Sequence, residues 1–394
     1  MGSPRHRYVT TTFCYGCYLG PTQTSHSIKD LDRFQVAYVN QRHINEQKLL
    51  DAIVGVINRY NRFRLPKLWG SGQRAAADGT KWDVYEQNLL SEYHIRYGGW
   101  GGIGYYHVSD TDIALFSSFI ACGVWEAIHI LDGLLEHRSE IRPDTLRADT
   151  QGQSETVFGL AYLLAIQLMP RIRNWKHLTL YAPTEPRAVE HIEHSRELFR
   201  DTVDWTLIET HVPDMLRVAI SISQGKVRSS TILRKLGTES RKNKLYVAFR
   251  ELGRVVRTMF LLRFMNDDEL RRTINAATNI AEAWNGLIQW VAFGSEGVVR
   301  QNNREEQRKI IRYNHLVANL VVFHNVVSMT RVLQDLVDEG YRVAPEIIAR
   351  LSPYKTEHIN RFGHYELRFD HVPPPITEEL RLSPALSTRE LERG

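Results

Sequence analysis

Between residues 44 and 54 the apolar side chains fall at Ile44, Leu49, Leu50, Ile53 and Val54, with Asn45, Glu46, Gln47, Lys48 and Asp51 between them. That spacing lines one face of a helix. It is the clearest part of a region, 8 to about 66, that reads as helical. Pro66 and the Gly70/Gly72 pair break the pattern. From 75 to 173 short apolar runs alternate with longer periodic ones. They predict strands at 81–85, 104–108, 113–121, 145–148 and 167–172, and helices at 125–137 and 155–164. Neighbouring strands, then strands alternating with helices, predict an α/β layer with a mixed sheet. From about 174 the helical period dominates, at 203–222, 230–238, 243–264, 267–292 and 304–340. A polar tail follows from about 352, and its end beyond Pro373-Pro374-Pro375 is expected to lack order.

Composition narrows the class. A chain of 394 residues exceeds one ordinary domain and predicts two or three units that share an interface. Hydrophobic content of 43% with 24% charged residues is that of a globular protein. A net charge of +5 favours an anionic partner, but 50 basic against 45 acidic residues is a mild excess. No run approaches ~18 uncharged apolar residues, so no membrane span is expected; 113–124 reads as a strand running into a helix. No apolar leader follows Arg5 and Arg7. Three cysteines, an odd number, suit a reducing cytoplasm. Cys14-x-x-Cys17 with His26 and His43 has the ligand types of a zinc site. It lacks a second CxxC, and two half-buried thiols on one helical turn are the preferred reading.

The chemistry concentrates on three carboxylates. Asp78 stands in Ala77-Asp78-Gly79, Asp149 in Ala148-Asp149-Thr150-Gln151-Gly152, and Glu282 in Thr278-Asn279-Ile280-Ala281-Glu282. Converging carboxylates can hold two Mg²⁺ ions, which activate an attacking oxygen and stabilise a leaving one at phosphorus. Each has a plainer reading. Asp-Gly commonly marks a turn, here at the entry to a strand. Asp149, at the carboxyl end of a strand, could be a helix N-cap. A lone Glu on an amphipathic helix is usually a surface residue. Asp78 and Asp149 are 71 residues apart, room for three strands and a helix; the 133 residues from Asp149 to Glu282 require an inserted helical domain.

Other patterns carry less. Gly98–Gly104 resembles a phosphate-cradling loop but lacks the following Lys-Ser/Thr, and reads as a hairpin or a flexible DNA-facing loop. His191-Ile192-Glu193-His194 lacks the i, i+4 spacing of a helical zinc site. Basic residues with possible DNA roles are Arg171, Arg173 and Lys176, the cluster Arg241, Lys242 and Lys244, and Lys309 with Arg304, Arg308 and Arg312, the last three spaced to form one stripe on a helix face. Glu305 and Glu306 could neutralise that last stripe. Trp175 and His177 could stack on a displaced base.

A wider resemblance joins these pieces. Trp69-Gly70-Ser71-Gly72-Gln73 with Asp78-Gly79, the run Gly104 to Asp110, Ala148 to Gly152, Phe158-Gly159-Leu160, Met169 to Arg173, Glu251 to Val255 and Tyr313 to Asn319 together resemble the catalytic region of Tn3-family transposases, in consistent order to about residue 370. The resemblance implies a ribonuclease-H-like DDE fold: a mixed sheet with a large helical insertion and flanking N- and C-terminal helices. It divides the chain into a helical linker region (1–66), a core of strands and first helices (67–173), a helical insertion (174–264), the last core helix with Glu282 (265–300), a C-terminal helical region (301–370) and a tail (371–394).

It implies Asp78, Asp149 and Glu282 as the catalytic and metal-binding triad, with two Mg²⁺ or Mn²⁺ ions. It implies DNA nicking and transfer of 3′ ends to target DNA in replicative, cointegrate-forming transposition. The expected partners are transposon ends and target DNA, with a homodimer as the active assembly, in the cytoplasm at the nucleoid. Members of the family are longer, and their N-terminal modules recognise terminal repeats. Two positions depart from the pattern: Ile280-Ala281, where relatives carry a polar or basic pair, and Asp112, at a strand position expected to be aromatic. The competing readings are a truncated, inactive or regulatory fragment that binds DNA or dimerises, and a stand-alone metal-dependent nuclease.

Overall fold

The computed structural model describes the chain apart from residues 1–2, 29–30, 86–87, 89–90, 95–97, 123–125, 175, 177, 184–195, 239–242, 371, 373–374 and 384–394. Four helices come first: α1 (Pro4–Gly16), α2 (Gly20–Ser27), α3 (Arg33–Arg42) and α4 (Glu46–Tyr60). Side-chain caps start α1, α3 and α4, and a proline starts α2. Asp32 and Gln35 form a reciprocal capping box on α3, and the Asn45 side chain accepts from Lys48 N on α4. The apolar face of α4 buries Leu49, Ile53 and Ile57. Cys14 and Cys17 are fully buried rather than half-buried, and burial pushes the Cys14 thiol up to about 12. His43 meets the Tyr8 hydroxyl instead of a thiol.

A six-stranded sheet follows, built from β1 (Arg74–Asp83), β2 (Glu92–His94), β3 (Gly99–Ser109), β4 (Ala114–Ala121), a short helix α5 (Asp132–Glu136), β5 (Thr145–Ala148), helix α6 (Glu155–Leu163) and β6 (Gln167–Pro170). The order runs β3-β1-β5-β6, with β2 and β4 both paired to β3. β3 runs antiparallel to both β1 and β4, whereas β5 and β6 run parallel to β1.

Several expectations change here. β1 begins seven residues before the expected strand, so Asp78-Gly79 lies mid-strand and not at a turn. Ala75, Ala76 and Ala77 have little strand propensity of their own, but pairing to β3 on one side and β5 on the other fixes them. The glycine-rich run is mostly strand β3 rather than a loop. A Cβ on Gly102 would fall within van der Waals overlap of the Phe119 ring, so close strand packing explains that glycine. Asp112 sits in the β3–β4 turn at φ 64, where an aspartate is tolerated better than an aromatic. The helix expected at 125–137 is a 3-10 turn (Glu126–His129) followed by α5; residues 123–125 are outside the described ones.

Between 174 and 264 the chain is not helical throughout. β7 (Leu180–Ala182) and β8 (Phe199–Thr202) form a small parallel pair before α7 (Trp205–Ser223), α8 (Ser229–Thr238) and α9 (Lys244–Asn266). Asp204 and Asn243 cap α7 and α9. α9 is locked to α6 by Arg257 and Arg254 on Glu155, at 3.1 and 3.5 Å. Then come α10 (Asp268–Val291), α11 (Arg304–Asp338) and the short α12 (Pro345–Ile348). The resemblance-bearing run on α11 ties the core together: Asn314 donates to Gly16 O and Ile288 O, and Asn319 to Ala114 O.

By length and mean hydropathy α11 is long and apolar enough to cross a membrane, but residues 313–330, though free of Asp, Glu, Lys and Arg, are interrupted by Asn314, His315, Asn319, His324 and Asn325. Its buried Asn314, His315 and Asn319 make it a core helix with polar ties. The tail also departs from expectation over its described part. Leu380 is buried, Glu378 pairs with Arg59 at 2.7 Å, and Ser383 N donates to Val343 O.

Candidate active site

Pairing of β1 with β5 ends at Ala77↔Ala148. The next residues on the two strands are Asp78 and Asp149, so both carboxylates stand where the strands part. Crevices at the carboxyl ends of such strands are where α/β sheets take ligands. Alternation along β1 then assigns faces. Ala76, Asp78 and Thr80 point one way, toward α10; Ala77 and Gly79 point the other.

Helix α10 comes close because small residues meet. Ala277 and Ala281 pack on Ala76. A larger or charged residue at 281 would hold the helix off the sheet, so Ala281 suits this contact. One turn on, Asn285 Nδ2 donates to Asp78 Oδ2 at 2.9 Å, and Gln289 Nε2 to Thr80 Oγ1 at 2.9 Å. This register carries Glu282, exposed on the same helix, to the mouth of the gap.

The three carboxylates open on one cleft of about 190 Å³, which Glu126, Arg171 and Arg173 also line. Burial and the neighbouring Asp149 charge push Asp78 up to about 6; Glu282 adds to this, while the Gly79 N–H and Asn285 pull it down. Like charges gathered at a half-buried position fit a cation, and carboxylate oxygens are the donors that Mg²⁺ and Mn²⁺ take. Among the described residues no group of three or more His, Cys, Asp or Glu side chains is already placed to hold a metal ion. The acids surround the cleft at its walls.

A larger cavity, about 570 Å³, lies between α4, α5 and α11. Its acids are matched locally: Glu46 by Arg308 at 3.0 Å, Glu136 by Arg228 at 3.0 Å, and Asp132 by His129 and the Ser229 hydroxyl. The smaller cleft instead gathers acids close enough for Asp149 and Glu282 to push the Asp78 carboxyl up, and it is the better candidate for a cation.

The basic residues divide. Arg171 and Arg173 follow β6 into the cleft, the Arg171 N–H donating to Ala148 O at 2.8 Å. Lys176 is exposed beyond them, and Lys244 is exposed at the start of α9. Arg241, Lys242, Trp175, His177 and the 191–194 motif fall outside the described residues. Arg304 and Arg308 line a separate small hollow beside Phe119, Lys309 is buried on Glu306, and Arg308 and Arg312 clamp Glu46. Glu126 was not anticipated. It stands on a 3-10 turn, at the start of a segment read as helix, and nothing in the sequence marks it as a site residue.

Fold and site define an α/β protein with a carboxylate-lined cleft where the antiparallel and parallel halves of its sheet meet. The comparisons give the family. A family model described as the Tn3 transposase DDE domain matches residues 2–365, and the chain belongs to that family. It is 34% identical over 353 residues to the transposase for transposon Tn501 of Pseudomonas aeruginosa, covering 89% of this chain and 35% of that protein. It is 32% identical to the transposase for transposon Tn3926 of Escherichia coli, covering 91% and 36%, and 29% identical to that for Tn1546 of Enterococcus faecium, covering 91% and 36%. The chain thus spans about a third of the length of the curated relatives it matches.

Proposed function

We propose that this chain is the catalytic portion of a DDE transposase that nicks DNA and transfers the resulting 3′ ends to target DNA, in replicative transposition. The observation that carries the reading is the meeting of Asp78, Asp149 and Glu282, from two strands and a helix, on one cleft. The strand order and directions support a ribonuclease-H-like core over 67–173, completed by Glu282 within 265–300. On this reading the segment 174–264 is the insertion, with 1–66, 301–370 and 371–394 flanking it.

Asp78, Asp149 and Glu282 would hold two Mg²⁺ or Mn²⁺ ions. Bound there, such ions supply Lewis acidity and lower the pKa of the attacking oxygen, so no histidine base is needed. Asn285 orients Asp78 through its amide. Arg171 and Arg173 face the phosphate that enters the cleft, and the exposed Lys176, Lys244 and Arg304 extend contact along the backbone, joined by Arg241 and Lys242. Arg308 contributes least, being engaged by Glu46. Transposon ends and target DNA are the partners, a homodimer the active assembly, and the cytoplasm at the nucleoid the place of action.

The test is a titration of the chain against labelled terminal-repeat and scrambled DNA at two salt concentrations. Binding is expected without sequence preference, at micromolar affinity or weaker, and to fall steeply with salt. Arg171→Ala and Arg173→Ala should each weaken it and reduce the salt slope by about 1. Unchanged affinity and slope in both variants, or a repeat preference that persists at high salt, would contradict the reading.

A further inference from the structure

Glu126 reaches the cleft from the face of the sheet opposite Glu282. The assignment of faces rests on independent contacts. Asp78 pairs with Tyr106, whose ring meets Trp284 of α10, so this side of β1 and β3 belongs to α10. Gly79 pairs with Tyr105, and His107, two residues on, bonds Ile130 O beyond the 3-10 turn. The turn Glu126–His129 therefore covers the other side. It is firmly seated: Ala127 and Ile128 are buried, and Glu126 is itself 9% exposed.

Gly79 is what lets the two faces communicate. A Cβ there would fall 2.6 Å from Glu126 Oε2, so that carboxylate occupies the space a side chain would fill, next to Asp78. Because β1 and β5 have already separated at Ala77↔Ala148, the gap runs through the sheet. Glu126 and Glu282 line the same cleft from its two sides, with Asp78 and Asp149 between them.

We propose that Glu126 is a fourth carboxylate ligand of the catalytic cleft, acting on a divalent cation from the sheet face opposite Glu282. This rests on the reading of the cleft as a divalent-metal centre. Chemically it fits the site: Asp78, Asp149, Glu282 and Glu126 line one cleft together with Arg171 and Arg173, and carboxylate oxygens are the donors that hard divalent cations take. It also gives Gly79 a reason, since any side chain there would push the Glu126 carboxylate out of the gap.

The experiment is direct Mn²⁺ binding by the full chain, read from the electron paramagnetic resonance of free Mn²⁺, with no DNA or turnover involved. Glu126→Gln keeps the shape and removes the charge; it should weaken Mn²⁺ binding by about tenfold or more. Glu126→Asp keeps the charge but withdraws it, and should fall between Glu126→Gln and the unaltered chain. Asp78→Asn serves as the reference for the centre itself, and thermal melts show which variants are folded. Should Glu126→Gln fail to fold, Glu126→Asp decides: weaker binding supports the ligand role, and unaltered affinity overturns it. A folded Glu126→Gln that binds Mn²⁺ normally, while Asp78→Asn does not, overturns the inference and leaves the triad standing. So does a Glu126→Gln that alters only DNA binding, which would make Glu126 a partner of the arginines. If neither Glu126→Gln nor Asp78→Asn changes Mn²⁺ affinity, the metal-centre reading itself fails.

Discussion

Single replacement of Asp78, Asp149 or Glu282 by Ala is expected to reduce Mg²⁺- or Mn²⁺-dependent DNA nicking by on the order of 10³-fold or more, and to leave DNA binding intact. Each residue comes from a different element, so no one fold defect would produce all three losses. Binding could even improve, because each change removes negative charge beside phosphate. The comparison that isolates the effect is Glu296→Ala, which makes the same charge change at an exposed turn residue. Asp110 is a weaker control, because its carboxylate accepts the backbone N–H groups of Ser71 and Gly72, at 3.2 and 2.8 Å, and so holds the entry to β1. Normal nicking by Glu282→Ala, together with its loss in Glu296→Ala, would show that the third carboxylate is assigned wrongly. The assay is cleavage of supercoiled or end-bearing DNA, in this chain or with the change placed in a longer relative.

The second large effect concerns stability without metal. Burial and the Asp149 charge hold the Asp78 carboxyl at about 6, against an ordinary value of 3.8. The folded chain therefore binds this proton more tightly than the unfolded chain does. Below the unfolded value both states carry the proton and there is no penalty. As pH rises from about 4 to 6 the penalty grows, and above 6 it is fully present. Asp78→Asn removes the charge yet keeps an oxygen for Asn285, so it should stabilise the metal-free protein at pH 7 by about 1–3 kcal/mol. The gain should vanish below about pH 4. Thermal melts of both proteins from pH 3 to 8 check this. Adding Mg²⁺ should raise the melting temperature of the unaltered chain more than that of Asp78→Asn. A variant less stable than its parent at pH 7 would remove the electrostatic argument for a cation at this cleft.

The sequence carried some of this clearly and some not at all. The long helices are legible in the apolar spacing, and the structure adds side-chain caps at Asn45, Asp204, Asn243, Asp267 and Asn303 to their N-termini. β5 is legible as a short alternation, Leu146 and Ala148 with Thr145 and Arg147, ended by Asp149 and Thr150. β1 was not, since three alanines and an Asp-Gly pair look like a turn until the neighbouring strands are in place. β7 and β8 are three and four residues long, too short for a period to register, and they pair with each other across intervening sequence. Tertiary contact alone explains Ala281 and Gly79. One lets a helix approach; the other leaves space for the carboxylate of a residue 47 positions away. Arg308 and Arg312, read as a positive stripe, turn out to face Glu46 of α4, a pairing that one-dimensional spacing cannot show.

The central claim is that Asp78, Asp149 and Glu282 form a divalent-metal centre. Diffraction data collected at the manganese absorption edge, from crystals of this chain with Mn²⁺ and a DNA end, test it most directly. The account predicts two anomalous peaks about 3.5–4 Å apart in the cleft, coordinated by oxygens of these carboxylates and of the DNA phosphate. Manganese found only elsewhere on the protein, with phosphate in the cleft and the three carboxylates unligated, would contradict it.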